Sequence, residues 1–285
     1  MSKLVNPIQS DRQANYKATF FKLLKSILII FIVLAFAFVL WVGTRYTLPI
    51  LMYHYINEQE PRMSRLGVSP ASFERQMRFL RERNYNVIPL EKAADLLKYK
   101  KKIPPKTVVI TFDDGYLDNY TNAYPILKKY HIPATIFIIA HRVNIKLGND
   151  SYLSWEQIKE MAGSGLITIG SHTVTHPNLS ETLSEDELRY EIFESKKILE
   201  EKLGKKVTLF SYPFGGINFK ARQLAIAAGY KAAVATNMPP NCPNDDLYAL
   251  KRLRISENSR NLFIFWVETA GFYNYIKEHR DDHKR

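Results

Sequence analysis

From Leu48 to Ile255 the chain repeats one rhythm: a short apolar or β-branched run, a turn, then a helical stretch with one apolar face. Nothing else in the sequence narrows the fold as much. Strands separated by helices pair in parallel, and a parallel sheet needs both faces covered. Residues 49–54 open the series as a strand. Ser69 and Pro70 then start a helix with Phe73, Met77 and Leu80 on one side. Residues 86–88 read as strand, 93–97 as helix, 107–112 as strand, 124–130 as helix and 134–140 as strand. Ser154 with Gln157 and Ser184 with Glu187 are capping boxes, and the second helix they announce runs to about Leu203. Strand signals return at 166–169, 207–212, 231–236 and 251–255. About eight strands in roughly 240 residues predict an α/β fold, a (β/α) barrel, with its chemistry at the carboxyl ends of the strands.

Three such ends carry reactive residues. The run Thr-Val-Val-Ile-Thr-Phe stops at Asp113-Asp114-Gly115. Strand neighbours point to opposite sides, so one carboxylate is placed to ligate a metal and the other to act as a base. A second run ends in Gly170-Ser171-His172, followed by His176. Imidazole is a common ligand for zinc-like ions, and two histidines with one carboxylate leave a coordination position open, as a catalytic site requires. The third end is Ser211-Tyr212-Pro213-Phe214-Gly215.

The amino end has a different character. Residues 27–42 are apolar without a break, close to the roughly 20 residues of a spanning helix. Lys3, Arg12, Lys17, Lys22 and Lys25 precede them against Asp11 alone. The positive-inside rule then predicts a cytoplasmic tail (1–22), a transmembrane signal anchor (23–43) and an extracytoplasmic domain (44–285) at the cell membrane, single-pass. A cleaved signal peptide at Ala35-Phe36-Ala37 is the alternative, disfavoured by the long tail and by the apolar residues that follow. Cys242 is the single cysteine, so no intrachain disulfide forms. Residues 44–285 hold 35 basic and 27 acidic side chains, an excess suited to an anionic wall or membrane. No basic patch interleaved with aromatics points to nucleic acid.

The motifs Thr111-Phe112-Asp113-Asp114-Gly115 and Ser171-His172-Thr173-Val174-Thr175-His176-Pro177, with the opening strand Pro49-Ile50-Leu51-Met52-Tyr53-His54, resemble the polysaccharide deacetylase family. This is the NodB-like group, also called carbohydrate esterase family four, and the likeness is to its poly-N-acetylglucosamine branch. The resemblance implies a deformed (β/α) barrel that removes N-acetyl groups from N-acetylglucosamine units of peptidoglycan, chitin-like or poly-N-acetylglucosamine chains. It implies a divalent metal, Zn2+ foremost with Co2+, Ni2+ or Mn2+ as substitutes, held by Asp114, His172 and His176, with Asp113 as general base. A backbone N–H near Phe214 would serve the oxyanion, and Tyr116, Tyr212 and Phe214 would line the substrate groove. A glycan-binding protein without turnover and an O-acetyl esterase are the competing functions.

The chain departs from the family pattern twice. Ser211 stands where the third motif has an arginine that holds the catalytic aspartate, and the later motifs that supply the general acid are not recognisable. Strand alternation puts Arg252 and Arg254 on one face, and Arg254 is the expected substitute that orients Asp113. His54, at the end of the first strand, either protonates the leaving amine or contacts the sugar. His279 and His283 lie in a polar tail that reads as surface.

Overall fold

A computed structural model describes residues 20–34, 36–37, 47–59, 66–181, 183–236, 246–271 and 273. The chain divides into two units, 1–46 and 47–285. In the first, residues 20–34 and 36–37 are helical with exposed side chains. Among the described residues no helix is long and apolar enough to cross a membrane. The expected span includes residues 35 and 38–43, which lie outside the described residues, as do Cys242, His279 and His283.

The second unit is built on nine parallel strands: β1 (Ile50–Tyr53), β2 (Asn86–Val87), β3 (Thr107–Phe112), β4 (Ala134–Ile138), β5 (Ile167–Ser171), β6 (Leu209–Ser211), β7 (Ala232–Ala235), β8 (Leu250–Lys251) and β9 (Leu253–Arg254). Their order is β8-β7-β6-β5-β4-β3-β1-β9, with β2 also on β3. The two ends of the sheet, β8 and β9, are separated by one residue, Arg252. That single residue is the seam of a nearly closed barrel, and it divides what the sequence presented as one strand at 251–255.

The period-two alternation of the strands sorts their buried side chains into two layers. Leu51, Tyr53, Ile110, Phe112, Ile136, Ile138, Ile169, Phe210, Ala233, Leu253 and Ile255 belong to one core with Phe73, Met77 and Leu80 of the helix Pro70–Glu82. Ile50, Val109, Phe137, Leu209, Ala232, Val234 and Leu250 form the other, which fills the barrel and is met by Leu90, Ala93 and Ala94 of the helix Leu90–Lys98. Both faces of the strands are thus apolar, which is why they read as continuous hydrophobic runs.

The helices start where their caps predict. Ser69 Oγ accepts from Ser72 N–H ahead of Pro70. Both capping boxes are formed, Ser154 with Gln157 and Ser184 with Glu187. The helix Glu185–Arg189 continues through a π-helical turn, Tyr190–Glu194, into Ser195–Leu203. A second π turn, Asn119–Ala123, precedes the helix Tyr124–Tyr130. The helices Trp155–Gly163, Phe219–Ala227 and Leu262–Thr269 also lie outside the barrel.

Candidate metal centre and active site

Following the inward-facing alternation toward the carboxyl ends of the strands leads from apolar to polar side chains. Ile50 is followed on its face by Met52 and His54, Val109 by Thr111 and Asp113, Leu209 by Ser211, and Leu250 by Arg252. His172 leaves the end of β5, its N–H donating to Ile138 O at 2.9 Å. These residues come from five parts of the sheet and meet in one buried cluster.

Asp114, His172 and His176 place one ligand atom each within 4.8 Å of the others. Nε2 of His172 and of His176 lie 3.5 and 3.2 Å from Asp114 Oδ1. The edge of a tetrahedron around an ion with bonds of roughly 2.0–2.1 Å is about 3.3 Å, so these two spacings suit a small divalent ion. His172 Nδ1 donates to the Ser211 carbonyl at 2.7 Å, which leaves Nε2 of the neutral ring a lone pair. Asp114 Oδ1 is buried and takes no hydrogen bond among the described residues. Acceptors facing one another at this range fit a cation between them. Electrostatics agree: burial raises Asp114, but the imidazoles of His172 and His176 outweigh it and hold the carboxyl well below its usual range. Burial lowers His172, yet the Asp113 and Asp114 charges bring it above its ordinary value, so the site draws positive charge.

Asp113 lies beside this trio, its Oδ2 3.9 Å from His172 Nε2, and is paired elsewhere. Arg252 Nη1 and Nη2 donate to Asp113 Oδ1 and Oδ2 at 2.6 and 2.5 Å, a bidentate pair with both side chains buried. Arg252 Nη1 also reaches Thr111 Oγ1 at 3.3 Å and Nη2 donates to Ser211 Oγ at 2.9 Å. Burial pushes Asp113 up, and Arg252 and His172 pull it further down, leaving it below the ordinary carboxylate value and ionised. The expectation that Arg254 orients Asp113 is therefore corrected. Both arginines follow the predicted parity, but Arg252 sits in the barrel seam and sends its long side chain up the interior, whereas Arg254 is exposed. Ser211 is small enough to leave room for that guanidinium, so the charge missing from β6 arrives from the seam between β8 and β9.

His54 is 9% exposed and its Nδ1 has no hydrogen-bond partner among the described residues. Burial lowers its pKa, the Asp114 and Asp113 charges oppose this in part, and the imidazole of the free protein is neutral near pH 7. Asn119 Nδ2 donates to the His54 carbonyl at 2.8 Å and fixes the chain there. Tyr116 is stacked between Tyr55 and Tyr152, with centroids at 3.8 and 5.2 Å. Burial and the Asp114 charge raise its pKa far enough that the hydroxyl keeps its proton. Phe214 is 62% exposed and its ring lies 4.7 Å from that of His176. Tyr212 is the second correction: it is fully buried, its ring against Phe210 at 5.0 Å and its hydroxyl donating to Tyr248 O, so it is a core residue and does not line a groove. It follows the strand end by one residue, and so falls on the outer layer rather than the barrel face.

Asp114, Thr173, His176 and Phe214 all have positive φ without being glycine. Such strain gathers where a function fixes the backbone. Gly215 shapes the same loop. At φ +65°, an added Cβ would sit 2.7 Å from Thr236 N and closer still to its hydroxyl. Gly215→Ala is expected to cost about 2–4 kcal/mol through strain and overpacking, read as a lower denaturant midpoint in equilibrium unfolding.

Comparison with known proteins agrees with this site. The sequence model described as polysaccharide deacetylase matches residues 100–233. The YxkH protein of Bacillus subtilis strain 168 is 38% identical over 223 residues, covering 78% of this chain and 76% of its own. The poly-β-1,6-N-acetyl-D-glucosamine N-deacetylase of Staphylococcus aureus is 32% identical over 215 residues, 72% of this chain and 73% of that one. Among solved structures, the Streptococcus pyogenes deacetylase PplD in complex with acetate superposes with a TM-score of 0.68 at 33% identity, covering 76% of this chain and 96% of that one. The chain belongs to the polysaccharide deacetylase family and is an enzyme of that class.

Proposed function

We propose that the protein is a metal-dependent N-deacetylase of an extracytoplasmic N-acetylglucosamine polymer, with poly-N-acetylglucosamine as the first substrate to test. The observation that carries this reading is the division of labour between adjacent carboxylates: Asp114 faces two imidazoles, while Asp113, 3.9 Å from one of them, is ion-paired with Arg252. The substrate class is supported by the Staphylococcus aureus relative, which acts on poly-β-1,6-N-acetyl-D-glucosamine.

Asp114, His172 and His176 would hold the ion. A divalent cation bound there would polarise the acetamide carbonyl and make a neighbouring water more acidic. Asp113, kept ionised by Arg252, accepts the proton of the water that attacks the carbonyl carbon. A main-chain N–H near Phe214 donates to the oxygen that becomes negative. His54 delivers a proton to the leaving nitrogen. Its neutral resting form takes that proton from solvent as negative charge develops beside it, and Asp113 returns the water's proton to solvent once the C–N bond has broken. Acetate and a free glucosamine amine result.

The apolar run 27–42 and the basic excess of residues 44–285 favour an uncleaved anchor that holds the domain outside the membrane. Protease added to intact protoplasts should then remove the domain and spare the tail.

Acetate release decides the function. The full chain, loaded with Zn2+ or Co2+, is expected to free acetate from N-acetylglucosamine oligomers and to stop when chelator is added. Release from O-acetylated polymer alone would make it an esterase. Oligomer binding without release under any metal would make it a glycan-binding protein.

A further inference from the structure

The loop that carries both histidines holds a conformation its residues disfavour, with Thr173 at φ 67° and His176 at φ 71°. Its carbonyls and amides are gripped from different sides. Thr173 O and Val174 O accept from the amides of Ala140 and His141 at 3.1 and 3.0 Å. A single buried carboxylate takes the amides: Val174 N–H and Thr175 N–H donate to Glu191 Oε2 at 2.8 and 2.9 Å, and Thr175 Oγ1 donates to Glu191 Oε1 at 2.5 Å.

Glu191 touches neither imidazole and has no part in the chemistry above. It stands in the π-helical turn Tyr190–Glu194, a rare widening of a helix that is frequent at functional sites. The turn is tied to the end of β5, since Ser171 Oγ donates to Ser195 Oγ and Ser195 Oγ donates to Ile192 O. Strand end, π turn and histidine loop are thus one hydrogen-bonded unit, with Glu191 as the group that joins the turn to the loop.

We propose that Glu191 is a positioning residue of the metal centre: by holding the amides of Val174 and Thr175 it fixes the spacing of the His172 and His176 imidazoles and sets their affinity for a divalent ion. This rests on the metal-dependent reading. Hydrogen-bond partners behind metal-binding side chains are typically worth about 10–100-fold in metal affinity.

The test is Zn2+ and Co2+ titration of the metal-stripped full chain as wild type, Glu191→Ala, Glu191→Gln and Glu257→Ala. Glu257 is a matched control, because its carboxylate also accepts three hydrogen bonds, from Ser69 N–H, Ser69 Oγ and Ser72 Oγ, none of them in the histidine loop. Glu191→Ala is expected to weaken both ions about 10–100-fold. Glu191→Gln keeps the shape and one acceptor oxygen and should return affinity to within roughly fivefold, a neutral acceptor being weaker than a charged one. Glu257→Ala should lower the melting temperature and leave affinity unchanged. Hydrogen exchange gives a readout independent of metal: the Val174 and Thr175 amides should exchange about tenfold or more faster in the metal-free Gln variant, as a weakened buried bond permits. If Glu191→Ala does not fold, Thr175→Val removes the hydroxyl bond alone and should weaken the ions about threefold. Unchanged affinity in the Glu191 or Thr175 variants, or an equal loss in Glu257→Ala, overturns the proposal. Wild type that takes up neither ion overturns the metal centre, and this proposal with it.

Discussion

Arg252→Ala is expected to reduce kcat/KM about 1,000-fold, the scale of losing a general base, while the purified variant still takes up its metal. Arg252 and Asp113 are both buried, and removing one partner of a buried pair leaves a charge that the interior cannot solvate, at a cost of about 3–5 kcal/mol. The variant avoids part of that cost by protonating Asp113. A protonated Asp113 accepts no proton from water, so the stability loss and the activity loss share one origin. The sign of the pH dependence follows. Asp113 has a lowered pKa in the folded protein, so its contribution is complete above its unfolded value of about 4 and is lost as pH falls through the folded one. The stability gap between wild type and variant should therefore be largest at and above neutrality, shrink as falling pH protonates Asp113 first in the variant, and close once wild-type Asp113 is protonated too, as chemical unfolding at several pH values would show. Arg252→Lys keeps the charge without the fork and should recover only part of the rate. Arg254→Ala, at an exposed position, should turn over substrate within about twofold of wild type, since changes at such positions are usually within ±0.5 kcal/mol. Equal losses in the two alanine variants would defeat the assignment.

That contrast marks where the sequence stopped being readable. Alternation is a local property, and it placed Arg252 and Arg254 on the same face. Which of them enters the barrel depends on where the sheet closes, and closure is set by the pairing of β9 with β1, a partner at the other end of the domain's sequence. Tyr212 went astray for a related reason, because one residue of register separates the barrel face from the helix layer. The strands and the capped helices were legible because their signals are local: buried runs bounded by turns, Ser69 before Pro70, and two capping boxes. The helix Phe219–Ala227 has a cap at Asn218 but no box, and its apolar residues define no clean stripe. The helix Leu262–Thr269 opens with Leu-Phe-Ile-Phe-Trp-Val, whose composition suits a strand equally well. Glu191 gave no signal at all, since an acid in an amphipathic helix ordinarily faces solvent and the π turn that buries it leaves no mark in the sequence.

The base and the metal centre should separate cleanly when one residue of each is altered. Asp113→Asn preserves volume and removes the ability to take a proton. Turnover is expected to fall about 1,000- to 10,000-fold, with one metal per chain still present by elemental analysis. His172→Ala should do the reverse in cause and the same in effect: the chain loses its metal, and acetate release drops to background even when excess Zn2+ is supplied. His172 is the sharper choice because it is held on both sides, Nδ1 by the Ser211 carbonyl and Nε2 facing Asp114. Adjacent residues with separable losses, chemistry for one and metal for the other, are what a strand end that opens into a left-handed Asp114 makes possible: φ +73° rotates the second carboxylate away from the first. If Asp113→Asn emptied the site of metal, or His172→Ala kept its turnover, the two carboxylates would not be divided in this way, and both the base and the metal centre would have to be sought among other residues.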